Sequence, residues 1–336
     1  MSDILFSDGG VALRAPLTFS PVYMEKVWGG RRIAEYRNDI PDGPIGESWD
    51  IANHPNGMSV VDSGPLAGTT LRQLTDSFGA RLVGTGFPGG DFPLLIKLLH
   101  AKTRLSVQVH PDDSLARSMG VAERGKTECW SMLGDGGELF VGVRDGIDKA
   151  AFRAALDRGE VDQVLKRFVT SAGDFVFLGA RTVHALGNDC LLYEIQQTCD
   201  VTFRVWDWGR LGLDGKPRAL HIEESLKAID FTKAEVGPLR PPWLPHPQSG
   251  ERRTLVHCDY FSVEERRGQL LIGGDTAACS IVIVLSGNGE LNTRGGAIAL
   301  RPAQSVLVAA EAGEWHARSH GDTLRLLIAR PQFPTA

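Results

Sequence analysis

Short stretches in which polar and apolar residues alternate recur along the first two thirds of this chain. The clearest is SVQVHPDD at residues 106–113, where Ser106, Gln108 and His110 alternate with two valines before Pro111 ends the run. Residues two apart on a β-strand share a face, so this pattern predicts a strand with one apolar and one polar face. A chain of such strands needs a fold that buries the apolar face, while the polar face either meets water or lines a cavity that uses it.

The same alternation returns at later positions. KTECW at residues 126–130 puts Lys126 and Glu128 on one face if the segment is extended. GDFVFLGARTVHALGN predicts a strand, a glycine-containing turn and a second strand that carries His184. In VTFRVW, Arg204 lies opposite an apolar face of two valines and a phenylalanine. Any one of these groups alone is typical of a surface ion pair, worth about 0.2–1 kcal/mol, or of an ordinary hydrogen-bonded side chain.

Repetition of the pattern favours a shared interior. Closing such strands into a barrel turns the polar face inward, and a small barrel holds one small ligand. The groups that then converge supply one amide oxygen, two imidazoles and one carboxylate: Gln108, His110, Glu128 and His184. This set suits zinc, although manganese, iron, cobalt and nickel accept similar ligands. One carboxylate leaves the centre net positive, so a bound divalent ion can act as a Lewis acid.

A proline-dense segment, VGPLRPPWLPHPQSG at residues 236–250, predicts a linker between residues 1–235 and residues 251–336. The C-terminal part carries short strands typical of a small sandwich or barrel, in SIVIVLSGNGELNT, SVLVAA and TLRLLIA. The N-terminal part mixes helices with six strand candidates: PLLIKLL, LSVQVH, ELFVGV, DFVFL, LLYEIQQ and VTFRVW. DKAAFRAALDRGEVDQVLKRF predicts two short helices broken near Gly159. We therefore expect a mainly β fold with helical insertions in the N-terminal part.

Composition excludes several classes of protein. A formal net charge of −5 argues against a nucleic-acid partner. No apolar run approaches the ~20 residues that cross a bilayer, and MSDILFSDGG has no signal-peptide pattern. The five cysteines are widely spaced and form no C-x-x-C, so we expect reduced thiols in a cytoplasmic protein.

GTGFPG at residues 84–89 matches a dinucleotide-binding pattern, but Pro88 and the residues after it prevent the required helix. We therefore predict a plain loop there.

An ordered set of motifs between residues 16 and 232 resembles the type I mannose-6-phosphate isomerases (phosphomannose isomerases) of the cupin superfamily. The motifs are VYMEKVWGGRR, GESWDIANHP, FPLLIKLL, SVQVHPDD, GKTECW, TVHALG and QQTCDVTFRVWD followed by RALH. The resemblance implies two cupin-like jelly-roll barrels, the second one degenerate and without a metal. GDFVFLGARTVHALGN departs from the usual cupin pattern at Gly179 and Arg181, yet His184 stays in register.

The resemblance also implies roles for particular residues. The family's metal ligands fall on Gln108, His110, Glu128 and His184, and its other active-site positions fall on Trp28, Glu47, Lys97, Ser106, Lys126, Glu194 and Arg204. The implied reaction interconverts mannose 6-phosphate and fructose 6-phosphate through a cis-enediol(ate), whose charge a metal and Arg204 would stabilise. The acid–base group is left open between Glu194, Lys126 and a metal-bound water. For the phosphate, the candidate donors are Ser106, Lys97 and Arg204; Trp28 and Glu47 would wall the pocket or orient hydroxyls.

Two alternatives to this enzyme use the same residues. One is a sugar-phosphate-binding or regulatory cupin without turnover, which does not need Lys126, Glu194 and Arg204 together. The other is a cupin oxygenase, which fits a glutamine ligand beside a lysine poorly. We expect a small sugar phosphate as the partner, with no nucleic acid or membrane, and a monomer in preference to an oligomer.

Overall fold

The computed structural model describes residues 12–233 and 236–333 of the chain, so the prediction on residues 1–10 lies outside the described part. The strands, numbered in chain order, are β1 Phe19–Ser20, β2 Val22–Gly30, β3 Ile45–Ile51, β4 Asn53–His54, β5 Gly57–Met58, β6 Val60–Val61, β7 Leu94–Ala101, β8 Val107–Val109, β9 Glu128–Met132, β10 Glu138–Val143, β11 Leu165–Val169, β12 Phe175–Leu178, β13 His184–Leu186, β14 Cys190–Gln197, β15 Phe203–Trp206, β16 Pro238–Leu239, β17 Leu244–Pro245, β18 Glu251–His257, β19 Phe261–Gly268, β20 Leu270–Gly273, β21 Ser280–Ser286, β22 Gly289–Thr293, β23 Gly296–Leu300, β24 Ser305–Val308, β25 Trp315–Ser319 and β26 Leu324–Pro331. The helices are α1 Leu71–Phe78, α2 Ala80–Val83, α3 Asp113–Ser118, α4 Lys149–Arg158 and α5 Ile222–Ala228, with 3-10 turns at Arg32–Glu35, Val161–Gln163 and Ala310–Ala312. The fold is mainly β with few helices, as predicted.

None of the helices in the described ranges has both the length and the apolar character needed to span a membrane. GTGFPG forms a loop between α2 and β7, which confirms that prediction.

Residue contacts divide the chain into two compact units. The central unit comprises Tyr23–Ser48 and Ile96–Arg240; the C-terminal unit comprises Trp49–Leu95, the residues from Pro241 onward and the described residues up to Val22. The division falls inside the segment predicted as a linker, whose two halves each add a short strand: β16 pairs with β12, and β17 pairs with β18. The predicted domain limits, 1–235 and 251–336, stay a prediction.

The central unit contains a five-stranded sheet and the greater part of a seven-stranded sheet. The strand orders are β11-β10-β13-β8-β15 and β16-β12-β9-β14-β7-β2-β3. One face of the five-stranded sheet presents Val107, Val109 and Ala185 to an apolar cluster that α4 and α5 complete with Phe152 and Leu226. Because side chains alternate along a strand, the polar positions between these residues face the other way. The predicted two-faced character of these strands is confirmed.

A second apolar cluster joins the opposite face of that sheet to the seven-stranded sheet. Leu139 and Leu186 come from the five-stranded sheet, whereas Trp130, Met132 and Leu192 come from the seven-stranded sheet. All five side chains are buried. The polar positions of β8, β13 and β15 therefore point toward the space between the two sheets.

The second helix predicted after Gly159 is wrong. Gly159 ends α4 with a left-handed φ of 70°, the 3-10 turn follows, and the chain then pairs along β10 as β11. A short apolar run fits a strand as well as a helix, and here the free edge of β10 decides in favour of the strand.

SIVIVLSGNGELNT forms two strands, as predicted, but its turn at Gly287 carries the chain from one sheet to another.

The C-terminal unit repeats the two-sheet plan. Its six-stranded sheet has the order β17-β18-β19-β26-β21-β24, and its four-stranded sheet has the order β20-β25-β22-β23. An apolar cluster that includes Val282, Leu291, Trp315 and Ile328 draws side chains from both sheets. The predicted pair of cupin-like barrels is compatible with these two sheet pairs.

Candidate metal centre and active site

Strand pairing aligns three predicted site residues across the five-stranded sheet. His184 on β13 and Arg204 on β15 both lie directly opposite Gln108 on β8. Residues opposite each other in antiparallel strands share a face, so all three side chains point to the same side. His110 follows β8 immediately, and Glu128 opens β9 in the seven-stranded sheet. The ligands thus come from two sheets and are distant in sequence.

Four of the predicted groups converge on one point. The ligand atoms of His110, Glu128 and His184 lie within 4.8 Å of one another, and all three residues are buried. Glu128 Oε1 is 3.1 Å from His184 Nε2 and 3.7 Å from His110 Nε2. The Gln108 amide nitrogen is 3.3 Å from His184 Nε2. Rotating that amide by half a turn presents its oxygen to the same point.

Hydrogen bonds to the main chain fix which imidazole nitrogen faces this point. His110 Nδ1 lies 2.8 Å from the Val201 carbonyl oxygen, and His184 Nδ1 lies 2.9 Å from the Thr182 carbonyl oxygen. A carbonyl only accepts, so each Nδ1 carries the hydrogen and each Nε2 keeps a lone pair. Metal-binding histidines are oriented in this way.

Two buried acceptor atoms of this site are unsatisfied within the described ranges. Within the described residues, neither His110 Nε2 nor Glu128 Oε1 has a hydrogen-bond partner. Burial, followed by the charge of Lys126, holds the pKa of His110 well below its usual value. Burial would raise the pKa of Glu128, but Lys126 and the two histidines outweigh it and hold that pKa well below its usual value. Neutral imidazoles and an ionised carboxylate are the ligating forms, so this donor set fits a divalent cation.

A buried chain of ion pairs leads away from the candidate metal centre. Lys126 Nζ lies 2.9 Å from Glu128 Oε2 and 3.7 Å from Glu194 Oε1. Lys97 Nζ lies 3.2 Å from the same Glu194 oxygen and 3.9 Å from Glu47 Oε2. Burial alone would lower the pKa values of both lysines, yet the neighbouring carboxylates raise them. Lysine and glutamate groups alternate along this chain, so each buried charge has an opposite charge beside it and stays ionised away from water.

The remaining predicted residues have less direct contacts. Arg204 is half-buried; its Nη1 donates to the Ala219 carbonyl oxygen at 2.9 Å, and burial with two nearby arginines lowers its pKa. Trp28 and Ser106 are buried, but among the described residues neither makes a hydrogen bond with the candidate ligands. Gly46 has a packing role, because a Cβ there would come within 2.6 Å of Trp28 Cζ3.

Sequence reasoning missed two contributors. Trp130 Nε1 donates a hydrogen bond of 2.9 Å to Glu194 Oε2, and its ring meets that of His184 edge-on at 5.4 Å. Lys26 Nζ lies 3.5 Å from Glu47 Oε1. The signal for Trp130 was present, because it lies two residues after Glu128 in KTECW and so shares its face. Nothing in the sequence pointed to Lys26.

Replacing Trp130 by phenylalanine is expected to destabilise the protein measurably. The change leaves a buried Glu194 oxygen without its donor, and a hydrogen bond to a charged group is worth about 1.5–3 kcal/mol. Trp315→Phe is the matched control, because Trp315 is equally buried and its Nε1 has no partner among the described residues. Chemical denaturation measures both free energies of unfolding. Equal losses in the two variants would show that the bond to Glu194 contributes nothing.

Comparison with known proteins agrees with this geometry. The model of the phosphomannose isomerase type I catalytic domain matches residues 17–132. Mannose-6-phosphate isomerase ManA of Bacillus subtilis is 38% identical over 253 residues, which cover 74% of this chain and 78% of that protein. The mannose-6-phosphate isomerase of Streptococcus mutans is 35% identical over 308 residues, covering 89% of this chain and 94% of that protein.

The comparison with solved structures also finds mannose-6-phosphate isomerases. The crystal structure of mannose 6-phosphate isomerase from Bacillus subtilis has a TM-score of 0.85 and 30% identity, covering 94% of this chain and 99% of that chain. A single-residue variant of phosphomannose isomerase from Salmonella typhimurium has a TM-score of 0.75 over 95% of this chain; at 16% identity it shows the fold alone. Sequence relatives that span most of both chains show that this protein belongs to the type I mannose-6-phosphate isomerase family.

Proposed function

We propose that this protein interconverts mannose 6-phosphate and fructose 6-phosphate at a single divalent-metal centre. The observation that carries the proposal is the meeting of three buried ligating groups, 4.8 Å or less apart, beside a lysine–glutamate pair. A metal held by Gln108, His110, Glu128 and His184 has nitrogen and oxygen ligands only, a set that zinc accepts readily. When bound, the ion supplies a fixed positive charge close to the reacting sugar oxygens.

The reaction needs a proton to leave C2 of the open-chain sugar and a proton to reach C1. Removing the C2 proton is feasible only if negative charge on O1 and O2 is stabilised as the cis-enediol(ate) forms. Arg204 lies on the same sheet face as Gln108, so its guanidinium is suited to stabilise that charge. We assign it to the enediolate in preference to the phosphate.

Glu194 is suited to carry the proton, because the neighbouring carboxylates keep Lys126 in its charged form and Lys126 already holds its own proton. The two charged atoms are 3.7 Å apart, so Lys126 orients the Glu194 carboxylate, which takes a proton from one carbon and returns it to the neighbouring carbon. Lys97 Nζ lies 3.2 Å from the same Glu194 oxygen and 3.9 Å from Glu47 Oε2, so it lies between two carboxylates. That position favours orienting Glu194 over binding phosphate, which leaves Ser106 as the phosphate donor among the predicted residues.

Removal of the metal tests the proposal. We expect the protein to produce fructose 6-phosphate from mannose 6-phosphate, to lose this activity after chelation, and to regain it when zinc is added back. A coupled assay for fructose 6-phosphate measures the rate, and metal analysis of the same samples relates rate to occupancy.

The same assay separates the alternatives. Saturable binding of mannose 6-phosphate without any product would support a regulatory protein and overturn the isomerase. Oxygen consumption would support an oxygenase. Activity that persists after complete metal removal would exclude the metal from the reaction.

A further inference from the structure

A second polar cavity lies wholly within the C-terminal unit. Its volume is about 380 Å³, inside the range of roughly 300–1,000 Å³ typical of small-ligand sites. One wall is formed by β18, β19 and β26, which present three arginines to it: Arg252, Arg266 and Arg330. The reaction described above uses none of these residues.

Strand register places these arginines on the inward face of the sheet, where Arg266 is buried and Arg252 and Arg330 are partly exposed. Arg266 is directly opposite Leu326, and Arg252 is directly opposite Arg266. Leu326 belongs to the apolar cluster between the two sheets of this unit. Opposite residues share a face, so one row across this face runs from the apolar side chain of Leu326 to the positively charged side chains of Arg266 and Arg252. Arginine is almost never fully buried unless it is paired, which applies here to Arg266.

The pairing of these arginines is incomplete. Arg266 is satisfied, because its Nε and Nη2 donate to Glu264 at 2.9 and 2.7 Å. Arg330 Nη1 donates to Asp275 at 2.7 Å, but its buried Nε has no partner among the described residues. Arg252 forms no side-chain hydrogen bond or ion pair within the described ranges.

The cavity therefore has spare donors and a net positive charge. Three guanidinium groups face the two carboxylates of Glu264 and Asp275. The buried Nε of Arg330 lacks a partner among the described residues, which is costly, and guanidinium groups match phosphate oxygens in geometry and charge. The hydroxyl groups of Thr254 and Ser262 also line the cavity. A bound anion would satisfy the Nε of Arg330 and balance the excess positive charge of the cavity.

We propose that this cavity binds a small phosphate monoester that carries hydroxyl groups, at a site separate from the metal centre. Arg252 and Arg330 bind the phosphate, and the two carboxylates accept hydrogen bonds from the hydroxyl groups of the ligand. The volume leaves room for a few carbon atoms beyond the phosphate, so inorganic phosphate is expected to fill the site only in part.

Calorimetric titration of the metal-loaded protein with glycerol 3-phosphate tests this proposal. We expect a class of sites, in addition to the metal centre, that weakens as salt is raised. Arg252→Gln and Arg330→Gln should each weaken that class about tenfold. Arg318→Gln is the matched control, since Arg318 is exposed on β25 of the same unit and does not line the cavity; it should leave binding unchanged.

Further measurements make the result unambiguous. Inorganic phosphate should bind the same class more weakly than glycerol 3-phosphate, and glycerate should bind more weakly still. Arg252 lies next to the short strand β17 and makes no ion pair among the described residues, so its replacement should leave the thermal midpoint and the KM for mannose 6-phosphate unchanged. A titration of the unaltered protein without saturable binding, or equal affinity in Arg252→Gln, would overturn the proposal. Neither outcome depends on whether the metal centre catalyses isomerisation.

Discussion

His184→Ala is expected to release the metal and abolish isomerisation. His184 Nε2 is 3.1 Å from Glu128 Oε1 and next to the Gln108 amide, so its loss leaves a gap in the middle of the ligand set. Losing an outer hydrogen-bond partner of a metal ligand already costs about 10–100-fold in affinity, and losing a ligand should cost more. Metal analysis after gel filtration, with the isomerase rate on the same sample, measures the effect.

His320→Ala is the control for this variant. His320 is an exposed histidine in the C-terminal unit, and its replacement should leave metal content and rate unchanged. A His184→Ala protein with a full complement of metal and an undiminished rate would show that the ligand assignment is wrong.

Arg204→Ala is expected to keep the metal and lose turnover. Removing one group that stabilises a developing oxyanion typically costs about 10²–10³-fold in kcat, and Arg204 is not among the ligating groups. Steady-state kinetics separates its two candidate roles: a fall in kcat at constant KM indicates enediolate stabilisation, whereas a rise in KM at constant kcat indicates phosphate binding.

Two further variants sharpen this measurement. Arg204→Lys keeps the charge but loses the planar fork of donors, so it should recover part of the rate at most. Arg117→Ala removes an exposed arginine of the same unit and should have no effect. A rise in KM alone would reassign Arg204 to the phosphate, and a drop in metal content would place it among the residues that hold the metal.

Alternation of polar and apolar residues was enough to anticipate the face on which the site lies. A period of two fixes which side chains share a face, and that is why Gln108, His184 and Arg204 align as expected. The same rule could have found Trp130. Alternation says nothing about which strands become neighbours, so the meeting of Glu128 with the two histidines rested on the assumption that the strands close into a barrel and on resemblance to a known family.

Contacts that depend on the path of the main chain, or on residues far apart in the sequence, could not be predicted from the sequence. The pairing of Lys26 with Glu47 depends on how two separate segments approach each other. The strand that replaced the second predicted helix depends on a free edge at β10, which local propensity cannot report. The grouping of Trp49–Leu95 with the C-terminal unit is likewise a property of long-range packing.

Both imidazoles are anchored by peptide oxygens, at Val201 and at Thr182. Every amino acid offers such an oxygen, so the direction of each ring depends on the path of the backbone at the anchor. At Thr182 the side chain helps to fix that path, because its Oγ1 donates to the Gly179 carbonyl oxygen and accepts from Lys233. A one-residue insertion beside either anchor would therefore rotate a ligand without replacing it.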